Sequence, residues 1–233
     1  MPEITARSRM RRVPYHAVLL HSTLLAVLAL PLPLVTVAAG PQASASTDLF
    51  TQIFNRTSAR RAFMRSVRAR FTETTVSTLL EKPIVAHGTI IAAPPARVLM
   101  TYTDPERRTV ALDSKSLIVV WPDRNERETI DISKMQRRID QYFTQASVDQ
   151  LRSMFDITAE PDVIMREVDR VDMRPKRKQI KAGLERLELW IDRENLLPVQ
   201  MRMRFPGGDY KTIKLDDVAV NVPITDESFQ IRP

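Results

Sequence analysis

The sequence predicts an α+β protein that is mainly β, a curved antiparallel sheet forming an incomplete, unclosed barrel covered by helices. Three observations carry this. One amphipathic helical segment opens the globular part, about nine to eleven runs of period-two alternation follow, and a helical stretch interrupts them midway. Of 233 residues 43% are hydrophobic and 27% charged, with 16 Pro and only 5 Gly, which excludes disorder and collagen-like repetition. The absence of Cys excludes disulfides, thiolate metal sites and a Cys nucleophile, and three His leave little for zinc or triad chemistry.

Residues 1–45 read as a secretory signal peptide. Arg7, Arg9, Arg11 and Arg12 precede an apolar stretch from His16 to Ala39, and small residues run on to Ala43-Ser44-Ala45. A retained membrane anchor is the competing reading, since about 20 apolar residues span a bilayer, but Pro31 and Pro33 break the run. Cleavage falls between Ala39 and Ala45, leaving residues 46–233 as a single domain. Loss of four arginines against one glutamate leaves the +7 chain only mildly basic. His87 is then the sole histidine; with no Ser or Asp arrangement around it, a surface imidazole is favoured over a general base.

Asp48 can cap a helix in which Leu49, Ile53, Phe54, Phe63 and Val67 recur at broadly helical spacing. Arg56, Arg60, Arg61, Arg65 and Arg68 interleave with them. That row could meet anionic lipid or nucleic acid, but without stacking aromatics a solvated face is favoured, and no nucleic-acid partner is expected. From Phe71 the period becomes two: Phe71 to Leu80, then Gly88 to Ala93 after the interruption at Glu81-Lys82-Pro83. Arg97 to Thr103 puts Val98, Met100 and Tyr102 on one face, and a hairpin at 113–116 joins Val110–Leu112 to Leu117–Trp121. A polar turn and a short strand follow.

Ile132 to Phe155 reads as the helical interruption, with Ser147 capping its second, short helix. It can be a lid over a cavity or a plug for a sheet edge. Strands return at Asp162–Met173 and Gln179–Ile191, flanking the basic turn at 174–178. The second alternates Leu187, Leu189 and Ile191 against Arg186, Glu188 and Trp190. Leu197-Pro198 begins a strand carrying Val199, Met201, Met203 and Phe205 on one side, and Pro206-Gly207-Gly208-Asp209 turns it into Tyr210–Val218. The sheet therefore has one dry face, rich in the flexible side chains Met100, Met201 and Met203, with Met135 and Met154 in the insert. Such a face suits varied apolar guests, but on patterning alone an ordinary core in which Met fills gaps is favoured.

Several runs carry a family resemblance. Phe71-Thr72-Glu73, Gly88-Thr89-Ile90-Ile91, Pro95 with Val98 through Pro105, and Val110 through Leu117 resemble the periplasmic outer-membrane lipoprotein carrier family (LolA-like). Leu187 through Asp192, Leu197-Pro198, Gly207-Gly208, Lys214 through Val218 with Asn221, and Ser228 through Ile231 with Pro233 follow its C-terminal pattern in order. The match covers nearly the whole mature chain. It departs from the family at Pro94, where a basic residue normally ties barrel to lid, and at Asp113-Ser114, where the family has Asp-Gly. Arg97 has the wrong strand parity to substitute, because it should point away from the cavity. The resemblance is thus to a divergent branch of the family.

The resemblance implies a monomeric carrier in the periplasm of a Gram-negative bacterium that shields the acyl chains of lipoproteins, or a related envelope lipid. An inner-membrane donor complex and an outer-membrane acceptor are its implied partners. No reaction, cofactor or metal is expected. In this picture Val98, Met100, Tyr102, Leu187, Leu189, Met201 and Met203 line the cavity, and Met135, Ile139, Phe143, Leu151 and Phe155 form the lid. The alternative is a lipid- or protein-sensing regulatory module of the same fold acting on a membrane partner. An enzyme ranks last, because Glu73, Asp113 and Asp216 are scattered and form no pair at defined spacing.

Overall fold

Asp48 starts the first helix as expected, its carboxylate accepting from the Thr51 N–H and hydroxyl at 3.3 and 2.9 Å. The computed structural model describes residues 48–94, 97–134 and 147–231. The expected signal peptide, and the expected lid residues Met135, Ile139 and Phe143, lie outside them. Helix α1 (Leu49–Arg61) buries Phe50, Ile53 and Thr57 on one stripe. It is shorter than the apolar spacing predicts. Phe63 lies past its end and is 77% exposed, and Val67 already belongs to the first strand.

Eleven strands follow: β1 (Val67–Val76), β2 (Ile84–Ala93), β3 (Arg97–Asp104), β4 (Arg108–Leu112), β5 (Ser116–Trp121), β6 (Glu126–Asp131), β7 (Phe155–Pro161), β8 (Val168–Pro175), β9 (Arg186–Asp192), β10 (Pro198–Arg204) and β11 (Tyr210–Val220). They form one antiparallel sheet of order β6-β5-β4-β3-β2-β1-β11-β10-β9-β8-β7. Two meanders are thus joined by the pairing of β1 with β11. The sheet stays open, because β6 and β7 are its free edges and do not pair with each other. This is the unclosed antiparallel barrel that the alternation predicts, with two further short helices, α2 (Val148–Met154) and α3 (Lys178–Lys181), among the described residues.

Turn chemistry fixes the register locally. Asp113 Oδ1 accepts from the N–H groups of Lys115 and Ser116 at 2.7 Å, and the Ser116 hydroxyl donates to Oδ2. Serine at 114 is therefore tolerated, because the Asp113 side chain closes the β4–β5 turn. Gly207 and Gly208 both take positive φ in the β10–β11 hairpin, where Phe205 N–H meets the Asp209 carbonyl at 2.8 Å.

Three readings need correction. Phe155 is extended, not helical, and only caps the C-terminus of α2. It is the fully buried first residue of β7, and the helix capped by Ser147 stops at Met154. Residues 162–167 form a turn, not a strand, in which Asp162 Oδ1 accepts from the Ile164 and Met165 N–H groups at 2.9 and 2.7 Å. Val163 and Ile164 stand out of it 96% and 87% exposed, so apolar side chains gave a false strand signal. Finally, Gln179 lies in α3, and the strand reaching Ile191 begins only at Arg186.

The inner face packs with Phe50 and Ile53 into one core that includes Phe71, Val98, Met100, Leu187, Met203 and Ile213. The outer face of β8 to β10 is not simply wet. Glu188 is 2% exposed there, held by Arg170 at 2.8 Å and Arg204 at 3.1 Å, while Asp172 pairs with Arg186.

Candidate functional site

Beneath α1 the inner face leaves an apolar cavity of about 120 Å³. A single water needs only about 10–15 Å³ on this scale, so the space exceeds what one water fills. Its sheet wall comes from both meanders. Ile90 on β2 is registered opposite Met100 on β3, and Leu189, Met201 and Ile213 form a cross-strand row over β9, β10 and β11. Leu196, Leu197 and Pro198 of the β9–β10 turn close one end. Thr57, Arg60, Arg61 and Met64, one helical face and its continuation, supply the opposite wall.

Of the seven residues expected to line the cavity, Met100, Leu189 and Met201 do so. Val98, Tyr102, Leu187 and Met203 share their strand faces but sit in the packed core, each at most 3% exposed. Leu151 and Phe155, expected in the lid, are buried in the same core. The sequence reading missed the α1 wall, having set Arg60 and Arg61 on a solvated face. Their spacing from Thr57, at i+3 and i+4, was the available signal.

An ionic cluster adjoins this wall. Glu73, the cross-strand neighbour of Ile213, points to the inner face and is 4% exposed. Its Oε1 accepts from Lys211 Nζ at 2.9 Å and its Oε2 from the Tyr102 hydroxyl at 2.9 Å. Arg108 approaches to 3.6 Å and stacks its guanidinium 3.8 Å from the Tyr102 ring centroid. Burial pushes the Glu73 carboxyl up, yet Lys211, Arg108 and the Tyr102 hydroxyl together hold it below the usual carboxylate range. Burial and the Glu73 charge push the Tyr102 phenol upward, so it stays protonated and donates. The detectable signal was charge at apolar parity, Glu73 after Phe71 and Lys211 before Ile213.

The three acids weighed for catalysis do not converge. Glu73 is in the buried cluster, Asp113 closes the β4–β5 turn, and Asp216 meets Lys214 at 2.9 Å. His87 is exposed, with Nδ1 at 2.7 Å from Asp104 Oδ1 on the edge of β2 and β3. Arg97 obeys the parity argument. It pairs with Asp226 and lies 4.7 Å from the Phe229 ring centroid, tying the C-terminal 3₁₀ turn (Asp226–Phe229) to β3.

The fold is thus an unclosed antiparallel barrel with an apolar hollow under its first helix. The family model described as outer membrane lipoprotein carrier protein LolA matches residues 63–232, and the chain belongs to that family. No curated protein matches the chain significantly. Among solved structures, an uncharacterized conserved protein from Thermus thermophilus is similar at TM-score 0.50 and 14% identity, over 78% of this chain and 93% of that one. Lipoprotein LppX of Mycobacterium tuberculosis is similar at 0.48 and 16%, over 75% and 96%. MucB in the MucA/MucB complex of Pseudomonas aeruginosa gives 0.47 and 13%, over 78% and 60%. These likenesses concern the fold.

Proposed function

We propose that the protein is a periplasmic carrier that takes the acyl chains of a lipoprotein, or of a related envelope lipid, into the cavity beneath α1 for transfer toward the outer membrane. The apolar cavity walled by Ile90, Met100, Leu189, Met201 and Ile213 is the observation that carries this reading. The physical need is plain. At about 0.8 kcal/mol per buried CH₂, an acyl chain leaves a membrane only for a comparably apolar interior. The cargo arrives from an inner-membrane donor and leaves to an outer-membrane acceptor; the carrier works as a monomer and catalyses nothing.

Native mass spectrometry of protein purified from the periplasm, with extraction of what leaves with it, tests the reading. An acylated species near one per chain is expected, together with saturable binding of an environment-sensitive acyl probe. Met201→Trp, which fills the hollow at the centre of the cross-strand row, should weaken probe binding at least tenfold while leaving the circular dichroism spectrum unchanged. Protein that carries no lipid and ignores the probe, but holds a membrane protein in a stable complex, would replace the carrier with a sensing module of the same fold.

A further inference from the structure

Two guanidinium groups line an otherwise apolar hollow, and one of them is unusually alone. Nine arginines among the described residues are half-buried: Arg61, Arg97, Arg108, Arg152, Arg170, Arg186, Arg193, Arg202 and Arg204. Seven of these reach a carboxylate. Arg202 instead donates to the Thr212 hydroxyl at 3.0 Å and lies over the Trp190 and Tyr210 rings. The Arg61 guanidinium alone has no carboxylate, no ring and no hydrogen-bond partner among the described residues, although Arg61 forms part of the cavity wall. Beside it on the same helical face, Thr57 is 8% exposed and its Oγ1 is buried without a hydrogen-bond partner. Arg60, itself exposed, adds a second positive charge to the same wall.

A half-buried cation and a buried hydroxyl without partners are both costly. Among the described residues an acid meets each of the other half-buried arginines, Arg202 apart, and none meets Arg61. Desolvation already lowers the Arg61 affinity for its proton, which a bound anion would reverse. Guanidinium matches the planar or tetrahedral oxygens of carboxylate and phosphate in a two-point contact. The apolar row of Leu189, Met201 and Ile213 faces these donors across the hollow.

Resting on the carrier reading above, we infer that the cavity takes an amphiphile with an anionic head, its acyl chain against the Met201 row and its phosphate or carboxylate on Thr57, Arg60 and Arg61. The site thereby discriminates by head group as well as by chain.

The test is displacement of a bound acyl fluorophore from the purified mature protein by four competitors below their micelle thresholds: lauroyl lysophosphatidic acid, laurate, monolauroylglycerol and inorganic phosphate. Wild type should bind the lysophosphatidic acid and laurate at least tenfold more tightly than the glyceride, with the gap closing in high salt. Arg61→Gln should weaken the lysophosphatidic acid and laurate far more than the glyceride, so that most of the preference is lost, and Arg61→Lys should restore part of it. The better of the two anionic lipids identifies the head as phosphate or carboxylate. Inorganic phosphate should displace nothing, and displacement equal to that of the lipids would overturn the amphiphile. Equal binding of charged and neutral lipids, or a preference that survives Arg61→Gln, overturns this inference and leaves the carrier reading standing. Failure of every lipid to bind overturns both.

Discussion

At the scale of single residues, the informative positions are charges set where the strand period calls for apolar side chains. Glu73 and Lys211 occupy inner-face positions of β1 and β11, at 4% and 1% exposure, 2.9 Å apart. Removing one member of a buried pair costs about 3–5 kcal/mol, because the other charge stays buried without its counter-charge. Glu73→Gln should therefore destabilise the protein by about that amount in urea unfolding, whereas Glu73→Leu with Lys211→Met should recover most of it. The sign of the pH dependence follows from the depressed Glu73 carboxyl. Its contribution is complete above the ordinary value of 4.5 and is lost as pH falls through the lower folded value, so wild-type stability should drop on acidification. The Glu73→Gln variant should lose that part of the slope. A cost under about 1 kcal/mol with an unchanged acid slope would mean the cluster is solvated and is not part of the closed core. The same residues mark the limit of sequence reading. Glu73 was visible only as one of several acids, because nothing local to it reveals that Lys211, 138 positions away, becomes its partner.

At the scale of elements, β1, β2 and β3 are layered more tightly than any alternation rule states. A Cβ at Gly88 on β2 would fall 2.1 Å from the Thr101 carbonyl oxygen and 2.8 Å from the Phe71 ring. The backbone clash has no flexible end to yield, so Gly88→Ala should cost about 3 kcal/mol, the upper end for overpacking, and lower the thermal midpoint in calorimetry. Retention of wild-type stability would require β2 and β3 to part at the irregularity between His87 and Gly88. Elements with local causes were legible. The Asp48 cap, the Ser147 capping box, the Asp113 turn and the glycine hairpin at 207–208 each depend on residues within a few positions. Elements decided by distant partners were not. β7 pairs only with β8 and reads FDITAEP, with too little alternation to stand apart from the helix before it. Helix α1 ends at Arg61, and Val67 is taken up between β2 and β11, a contact its own apolar spacing does not encode. The cavity follows the same division. Leu189 and Met201 lie on the apolar face read from parity, Ile213 and Ile90 were not named, and the wall given by Thr57, Arg60 and Arg61 depends on how α1 lies across that sheet.

At the scale of the whole molecule, openness creates both a cavity and two exposed edges. β11 returns to β1, so the ends of the domain meet at the middle of the sheet and leave β6 and β7 outermost. An open edge is a template for pairing with another chain unless something discourages it. β6, the sequence ERETID, is short and carries charge along its length, and Arg127, Thr129 and Asp131 are exposed. Charge along such an edge discourages an unclosed barrel from stacking on its neighbours. Replacing that exposed row in Arg127→Val with Thr129→Val raises strand propensity and removes charge at the edge, while the inward neighbours Glu128 and Ile130 are kept. The variant should self-associate with rising concentration in light scattering coupled to size exclusion, and wild type should remain a monomer over the same range. Its acyl-probe affinity should not change, since the cavity lies under α1 and none of its wall comes from β6. If the variant stays monomeric, charge is not what protects this edge; if probe binding falls as the edge associates, the edge and the cavity are coupled through the curvature of the sheet.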